Sequence, residues 1–202
     1  VLRSDPSDLR ALEAVRRIAK RSKDTRTAAQ ASFQLARVIG DPDAKLELLR
    51  DAASVFDANN TAGEYALAVY RRILLVDPGA PEHARLLEIL RQRADVRGLV
   101  HSITERLNWL ESEAQDVARD QAMVPLLLER ATVLHGLGDQ PAAMQDLDAL
   151  LDRSASHIEA LRFRADLALN AGEAELAVSL WKRCLQAETR PQRRSDIELQ
   201  LS

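Results

Sequence analysis

Histidines and acidic pairs are the residues of this 202-residue chain that could carry acid–base or metal chemistry. The histidines are well separated, and no pair has the i, i+4 spacing that puts two zinc ligands on one face of a helix. Acidic pairs such as Glu111 and Glu113 lack a neighbouring aromatic platform, so they indicate solvated helix starts rather than paired catalytic carboxylates. Neither a Gly-x-Ser-x-Gly elbow nor a phosphate-binding loop occurs. We therefore expect no metal, no cofactor and no enzymatic activity.

The single cysteine, Cys184, excludes an internal disulfide and a cysteine-based zinc cluster. It lies on an apolar stripe between Trp181 and Leu185, which favours core packing over a reactive thiol. A lone cysteine fits a reducing compartment, and we expect a cytoplasmic protein. No apolar run approaches the ~20 residues of a membrane helix. Because the chain opens on Val1 and both ends resemble cuts through repeats, a signal or anchor upstream stays open.

Basic residues cluster near the start of the chain. Residues 1–26 carry eight basic and four acidic side chains, whereas the whole chain has a formal net charge of −3. Such a cluster attracts an acidic or phosphorylated peptide through charge-assisted hydrogen bonds. A nucleic-acid contact is disfavoured because no aromatic residues are interleaved. The ordinary interpretation is a solvated end that packs on preceding repeats. We call this set the basic cluster: Arg16, Arg17, Lys20, Arg21, Lys23 and Arg26.

Helices must position these side chains, because apolar residues recur with helical spacing along nearly the whole chain. Leu9, Leu12 and Val15 begin one such stripe, and no sustained alternation typical of a half-buried strand is present. Seven glycines and seven prolines are also too few for an all-β chain with frequent turns. The sequence predicts an all-α protein of about ten helices joined by short loops, with sequential helices antiparallel.

Breaks between the predicted helices have recognisable chemistry. Proline disfavours α geometry in the residue before it, and Asp-Pro pairs recur every 36 residues, as Asp5-Pro6, Asp41-Pro42 and Asp77-Pro78. Asp24 follows a smaller break and is placed to cap the next helix. The segment Glu113–Met123 is open between two interpretations: it lengthens one helix, or it adds a turn before Pro125, which would then lie in the first turn of a helix.

An internal repeat of 34 residues runs from Val124 to His157 and again from Ile158 to Pro191. Corresponding positions carry similar residues, in the pairs Gly138 and Gly172, Ala143 and Ala177, Ala131 and Ala165, and Leu147 and Trp181. A helix–turn–helix unit of this length is typical of tetratricopeptide repeats. The phrase from Gly172 to Leu185 resembles the second helix of that family, and so does the segment from Glu64 to Pro78 with its Asp-Pro ending.

The resemblance implies a right-handed α-solenoid of about five antiparallel helix–turn–helix repeats, forming a single domain over residues 1–202. It implies left-handed residues at Gly138 and Gly172 and a Trp181 wedged against the next hairpin. Arg130 and Arg164 depart from the family, which prefers an apolar leucine at that place. The approximate repeats are 7–42, 43–78, 79–112, 124–157 and 158–191, and residues 192–202 start a further or capping helix.

The resemblance further implies a non-enzymatic protein–protein interaction scaffold that binds a peptide or helix, an acidic one included, in a concave groove. No small-molecule substrate is expected. A structural spacer, or a regulatory arm of a larger multidomain protein or complex, is the alternative, and a solvated helix face is the ordinary interpretation of each position. Arg162 fits the carboxylate-clamp variety of the family, but Asp166 replaces the asparagine expected there. The predicted partner-binding positions are Arg10, Arg17, Arg21, Glu88, Arg91, Glu159, Arg162 and Asp166, and Glu13, Asp51, Val55, Leu128 and Thr132 also face the groove.

Overall fold

Eleven α-helices and no strand make up the part of the chain that the computed structural model describes, which is residues 8–58, 63–113 and 116–201. The chain divides into two compact units, Val1–Leu99 and Val100–Ser202, which we call unit 1 and unit 2. The division of the chain into five repeats stays a prediction. The helices are α1 (Leu9–Arg21), α2 (Thr25–Val38), α3 (Pro42–Ala58), α4 (Glu64–Val76), α5 (His83–Gln92), α6 (Val96–Ser112), α7 (Val117–Gly136), α8 (Gln140–Arg153), α9 (Ile158–Asn170), α10 (Ala174–Ala187) and α11 (Pro191–Leu201).

Unit 1 is built by packing each helix on the next, from α1 through α5. The apolar stripe of each helix is buried between its neighbours, and Leu49, Val69 and Ile73 are fully inaccessible to solvent. Alanines at the same interfaces, among them Ala36 and Ala52, let the helix axes approach closely. Burial of these stripes, rather than the intrinsic helix propensity of the segments, supplies most of the stability of such helices.

Unit 2 has the same plan, with α7 on α8, α8 on α9, α9 on α10 and α10 on α11. The small residues of the internal repeat are all fully buried, as expected for helix crossings: Ala131, Ala143, Ala165 and Ala177. Trp181 is 3% exposed, and Cys184 is completely buried, which confirms its predicted place in the core. α11 adds Ile197 to this core.

Four turns between helices share one hydrogen-bond pattern. Each contains a residue in the left-handed conformation, whose N–H donates to a carbonyl in the last turn of the helix, while the next N–H donates to the carbonyl five residues before it. The left-handed residues are Lys23 (φ +60°), Ala94 (φ +52°), Gly138 (φ +83°) and Gly172 (φ +79°). The prediction for the two glycines is confirmed. The other two turns use the same geometry without glycine, at a cost of about 1 kcal/mol each.

Exchanging glycine and alanine at these turns should therefore change stability in opposite directions. We expect Gly138→Ala to lower the free energy of unfolding by about 1 kcal/mol and Ala94→Gly to raise it by a similar amount. The added Cβ at position 138 would meet open space, so the loss comes from the backbone alone. Urea unfolding followed by circular dichroism measures both changes.

Gly136→Ala is the matched control for this pair, because Gly136 is the last residue of α7 and also has open space around its Cβ position. Alanine is the better helix former, so this variant should be as stable as the wild type or more stable. A Gly138→Ala protein that behaves like Gly136→Ala would contradict the assignment of the turn.

Side chains cap several helices. Asp24 accepts the N–H of Thr27 at 3.0 Å, which confirms its predicted role. Asp41 accepts the N–H of Ala44 at 2.9 Å and so caps α3, whose first residue is Pro42. Asp77 ends α4. The third pair, Asp5-Pro6, lies outside the described residues.

The segment Glu113–Met123 mainly lengthens a helix. α7 begins at Val117, and Met123 is buried at 1% exposure, whereas residues 114 and 115 lie outside the described ranges. Pro125 is therefore inside α7, so the second of the two interpretations, which puts it in the first turn of a helix, is wrong. An interior proline leaves the carbonyl four residues earlier without its helical donor. That residue, Gln121, is exposed, so water can satisfy its carbonyl.

Candidate functional site

The predicted partner-binding positions lie on three helices. Unit 1 carries Arg10, Arg17 and Arg21 on α1 and Glu88 and Arg91 on α5, and unit 2 carries Glu159, Arg162 and Asp166 on α9. All eight side chains are exposed except that of Arg162, which is half-buried. Their role in binding stays a prediction.

The α1 residues of the basic cluster border one side of an open depression of about 430 Å³, which we call the α1 hollow, and all of its described lining residues belong to α1. It brings together Arg17 and Arg21 of the predicted set, and Arg10 is not among its lining residues. Since α1 presents these cations on successive turns, their potentials add and favour an anionic ligand. The lining residues are Glu13, Arg16, Arg17, Lys20 and Arg21.

A second hollow, of about 390 Å³, lies where α1, α2 and α3 meet, and we call it the α1–α3 hollow. Asp51 and Val55, which the sequence places on the groove face, contribute to its wall. Lys20 lines both hollows, so the two form adjoining parts of one basic surface in unit 1. The lining residues are Ala19, Lys20, Lys23, Thr25, Ala28, Ala29, Asp51 and Val55.

Asp51 binds two cations at the edge of this hollow. Its Oδ2 atom lies 2.9 Å from Arg16 Nη2 and 2.9 Å from Lys20 Nζ, and it accepts the hydroxyl of Ser32 at 3.1 Å. Burial raises the pKa of the Asp51 carboxyl, but hydrogen bonds from Arg16, Lys20 and Ser32 outweigh that effect and lower it overall. Asp51 is therefore ionised at neutral pH and fixes the two cations.

Arg16 joins three consecutive helices through this network. Its Nε donates to Ser32 Oγ on α2 at 2.9 Å, and its Nη2 donates to Asp51 on α3. The sequence did not reveal this role, because Arg16 resembles the other cations of the basic cluster. Ser32 is the residue that could have indicated this role, because its hydroxyl is fully buried within the apolar stripe of α2 and requires a hydrogen-bond partner.

A second arginine joins three consecutive helices in unit 2. Arg130 on α7 donates two hydrogen bonds to the carboxylate of Asp146 on α8, at 2.8 and 2.6 Å, and a third to Thr104 Oγ1 on α6 at 2.9 Å. Asp146 is buried, and the bidentate geometry is the strong form of an arginine–carboxylate pair. This group has a structural role, because the hydrogen bonds of Arg130 and Asp146 are made within the group rather than to a ligand.

Arg164 has the same place in the next repeat but a different partner. The residue 34 positions after Asp146 is Leu180, so α10 offers no carboxylate there. Arg164 Nε instead donates to Asp148 on α8 at 2.8 Å, and its Nη1 lies 3.7 Å from Glu173. The two arginines that depart from the leucine of the resembled family are thus accommodated by ion pairs rather than by exposure.

The predicted residues of unit 2 form a shorter charged strip on α9. The exposed Asp166 is still partly desolvated by its neighbours, which raises the pKa of its carboxyl, and the positive charge of Arg162, one turn before it, partly opposes that effect. The Cys184 thiol also has a raised pKa because it is buried, so it is a poor nucleophile. α9 thus exposes two anions, Glu159 and Asp166, and presents one half-buried cation, Arg162, on a helix whose other face is core.

Other kinds of site find no support in the part of the chain that the structure describes. Within residues 8–58, 63–113 and 116–201, histidine, cysteine, aspartate and glutamate side chains form no group of three or more that could hold a metal ion. Over the same ranges, every helix is too short or too polar to cross a bilayer.

No protein-family model matches the sequence, and no curated protein is similar to it. Solved structures do resemble the fold. A crystal structure of MamA has a TM-score of 0.51 at 12% identity, covering 90% of this chain and 97% of that one, and a further MamA structure has a TM-score of 0.50 at 12% identity, covering 92% and 94%. YrrB, described as a TPR protein with an unusual peptide-binding site, has a TM-score of 0.50 at 10% identity, covering 98% and 95%. The chain therefore has an all-α, tetratricopeptide-like fold, as the sequence predicts.

Proposed function

We propose that this chain, with its tetratricopeptide-like fold, is a non-enzymatic protein-interaction scaffold that binds a peptide or helix of a partner protein on its charged helix faces. The observation that carries the proposal is the pair of adjoining hollows in unit 1, whose lining includes the exposed cations Arg17, Lys20, Arg21 and Lys23. Hollows with an excess of one charge raise the local concentration of an oppositely charged partner.

The likeness to YrrB supports the same function, since that protein is described as having a peptide-binding site. In the proposed scaffold the contacts come from exposed side chains on α1, α5 and α9 and from the half-buried Arg162. The cations would select acidic segments, and the anions would set their direction. These contacts are assigned to Arg10, Arg17, Arg21, Glu88, Arg91, Glu159, Arg162 and Asp166.

A displayed library of random peptides about a dozen residues long, selected on the whole chain, tests this function. We expect recovered peptides to bind the double variant Arg17→Glu plus Arg162→Glu about tenfold more weakly, because each reversal turns an attractive contact into a repulsive one. The measurement is fluorescence anisotropy of individual labelled peptides. The single reversals report on α1 and α9 separately.

Arg97→Glu plus Lys182→Glu is the matched control, because it makes the same change in net charge at one exposed cation in each unit. It should leave the affinity within about twofold of the wild type. Failure to recover any binding peptide, together with concentration-dependent association in sedimentation, would overturn the proposal in favour of a spacer that assembles through its ends.

A further inference from the structure

The floor of the α1–α3 hollow is apolar and made of small side chains. Ala19 on α1 and Ala28 and Ala29 on α2 are each buried, and the half-buried Val55 on α3 forms the wall beside them. Alanines leave unfilled the volume that a larger core residue would occupy. The free space of about 390 Å³ above them is therefore suited to an aliphatic side chain of a partner.

The rim of the same hollow is cationic. Lys20 and Lys23 are exposed and line it, and Asp51 is the one carboxylate among its described lining residues. Asp51 is bound by Arg16 and Lys20, and these two cations together with Lys23 outnumber its single negative charge. An incoming anion therefore meets net positive charge next to the apolar floor.

Lys23 also has a strained backbone, a property that it shares with Ala94. It occupies the left-handed position of its turn, at φ +60°, where the turns after α7 and α9 have glycine. A lysine in this conformation costs backbone free energy that a glycine would not, and strained residues of this kind concentrate at functional sites. The turn holds the lysine backbone at the mouth of the hollow through the bond from its N–H to the carbonyl of Lys20 at 3.3 Å.

We propose that the α1–α3 hollow binds a partner segment that places an aliphatic side chain on the alanine floor and an adjacent carboxylate at the ammonium groups of Lys20 and Lys23. The proposal rests on the proposed function and names the chemistry of its ligand. A carboxylate is the anion proposed, and a phosphate in its place is an outcome that the experiment distinguishes. A nucleic acid is disfavoured because the described lining residues include no aromatic side chain for stacking a base.

Lys23→Gly is the decisive variant, because it removes the ammonium group while relieving the backbone. Among peptides recovered from the random library on the whole chain, we expect an acidic residue beside an aliphatic one to be enriched. Those peptides should bind Lys23→Gly about tenfold more weakly, although the variant unfolds at a higher urea concentration than the wild type. If Lys23 had only a structural role, the more stable Lys23→Gly variant would not bind the peptides more weakly.

Two further variants complete the experiment. Ala94→Gly makes a similar change at the turn after α5, which lines neither hollow, so it should raise stability and leave affinity unchanged. Ala28→Leu fills the floor and should abolish the preference for an aliphatic residue. If Ala28→Leu fails to fold, Lys23→Gly still decides the question.

Several results would overturn the inference. Recovered peptides that lack acidic residues, or that bind Lys23→Gly with full affinity, would contradict the ligand proposed for the α1–α3 hollow but not the scaffold function. Recovery of no peptide would contradict both proposals. Tenfold tighter binding when the acidic residue is replaced by phosphoserine would assign the hollow to a phosphopeptide. Self-association that disappears in Lys23→Gly would assign it to a second copy of this chain.

Discussion

Asp146→Ala is expected to lower the free energy of unfolding of unit 2 by about 3 kcal/mol. The variant leaves the guanidinium of Arg130, whose side chain is 19% exposed, without its bidentate partner in a mostly buried place. Thr104 alone cannot replace two charge-assisted hydrogen bonds to a carboxylate. Urea unfolding monitored by tryptophan fluorescence measures the change within unit 2, because Trp109 and Trp181 both lie there.

The companion variant Arg130→Leu plus Asp146→Leu distinguishes the loss of the ion pair from the cost of leaving one buried charge without a partner. Buried ion pairs replaced by apolar residues of similar volume are often neutral or stabilising, so the double variant should remain within about 1 kcal/mol of the wild type. The internal repeat supports this expectation, since leucine already stands at position 180, which corresponds to Asp146. A double variant as unstable as Asp146→Ala would show that the ion pair itself stabilises unit 2. The loss in Asp146→Ala would then not come from the unpaired charge of Arg130.

Trp181→Ala is expected to cost about 3–5 kcal/mol, because it removes a large side chain that is almost completely buried on α10. α10 packs on both α9 and α11, so the loss of a buried side chain from α10 weakens the packing of unit 2. Circular dichroism during urea unfolding measures this loss without relying on the fluorophore that the variant removes.

Trp181→Phe tests which part of the side chain matters. The indole Nε1 is buried and has no hydrogen-bond partner among the described residues, so its removal abolishes no bond. We expect a loss of less than about 1.5 kcal/mol from the smaller ring. Trp109→Ala is the control, since Trp109 is only half-buried beneath the guanidinium of Arg106 and should cost clearly less than Trp181→Ala. Equal losses from the alanine and phenylalanine variants at position 181 would indicate a bond to Nε1 instead of packing.

The candidate site was only partly predictable from the sequence. The basic cluster was recognisable, because cations close together in the sequence on one helix are close together in space. The α1–α3 hollow was not, because Asp51 and Val55 on α3 approach α1 through tertiary packing alone. Likewise, Lys23 carries no local signal for a left-handed backbone, whereas Gly138 and Gly172 do.

The sequence by itself determined the all-α class, most helix ends and the identity of the buried alanines, because helical periodicity, capping and glycine turns act within a few residues of the chain. Only the tertiary structure decided which charges are structural. Arg16 resembles a solvated surface residue in the sequence, and Arg130 and Arg164 stand where the resembled family has leucine, yet each of the three is bound to a carboxylate on another helix. The position of Pro125 inside α7 was decided in the same way, because burial of Met123 and Leu127 offsets the hydrogen bond that the proline removes.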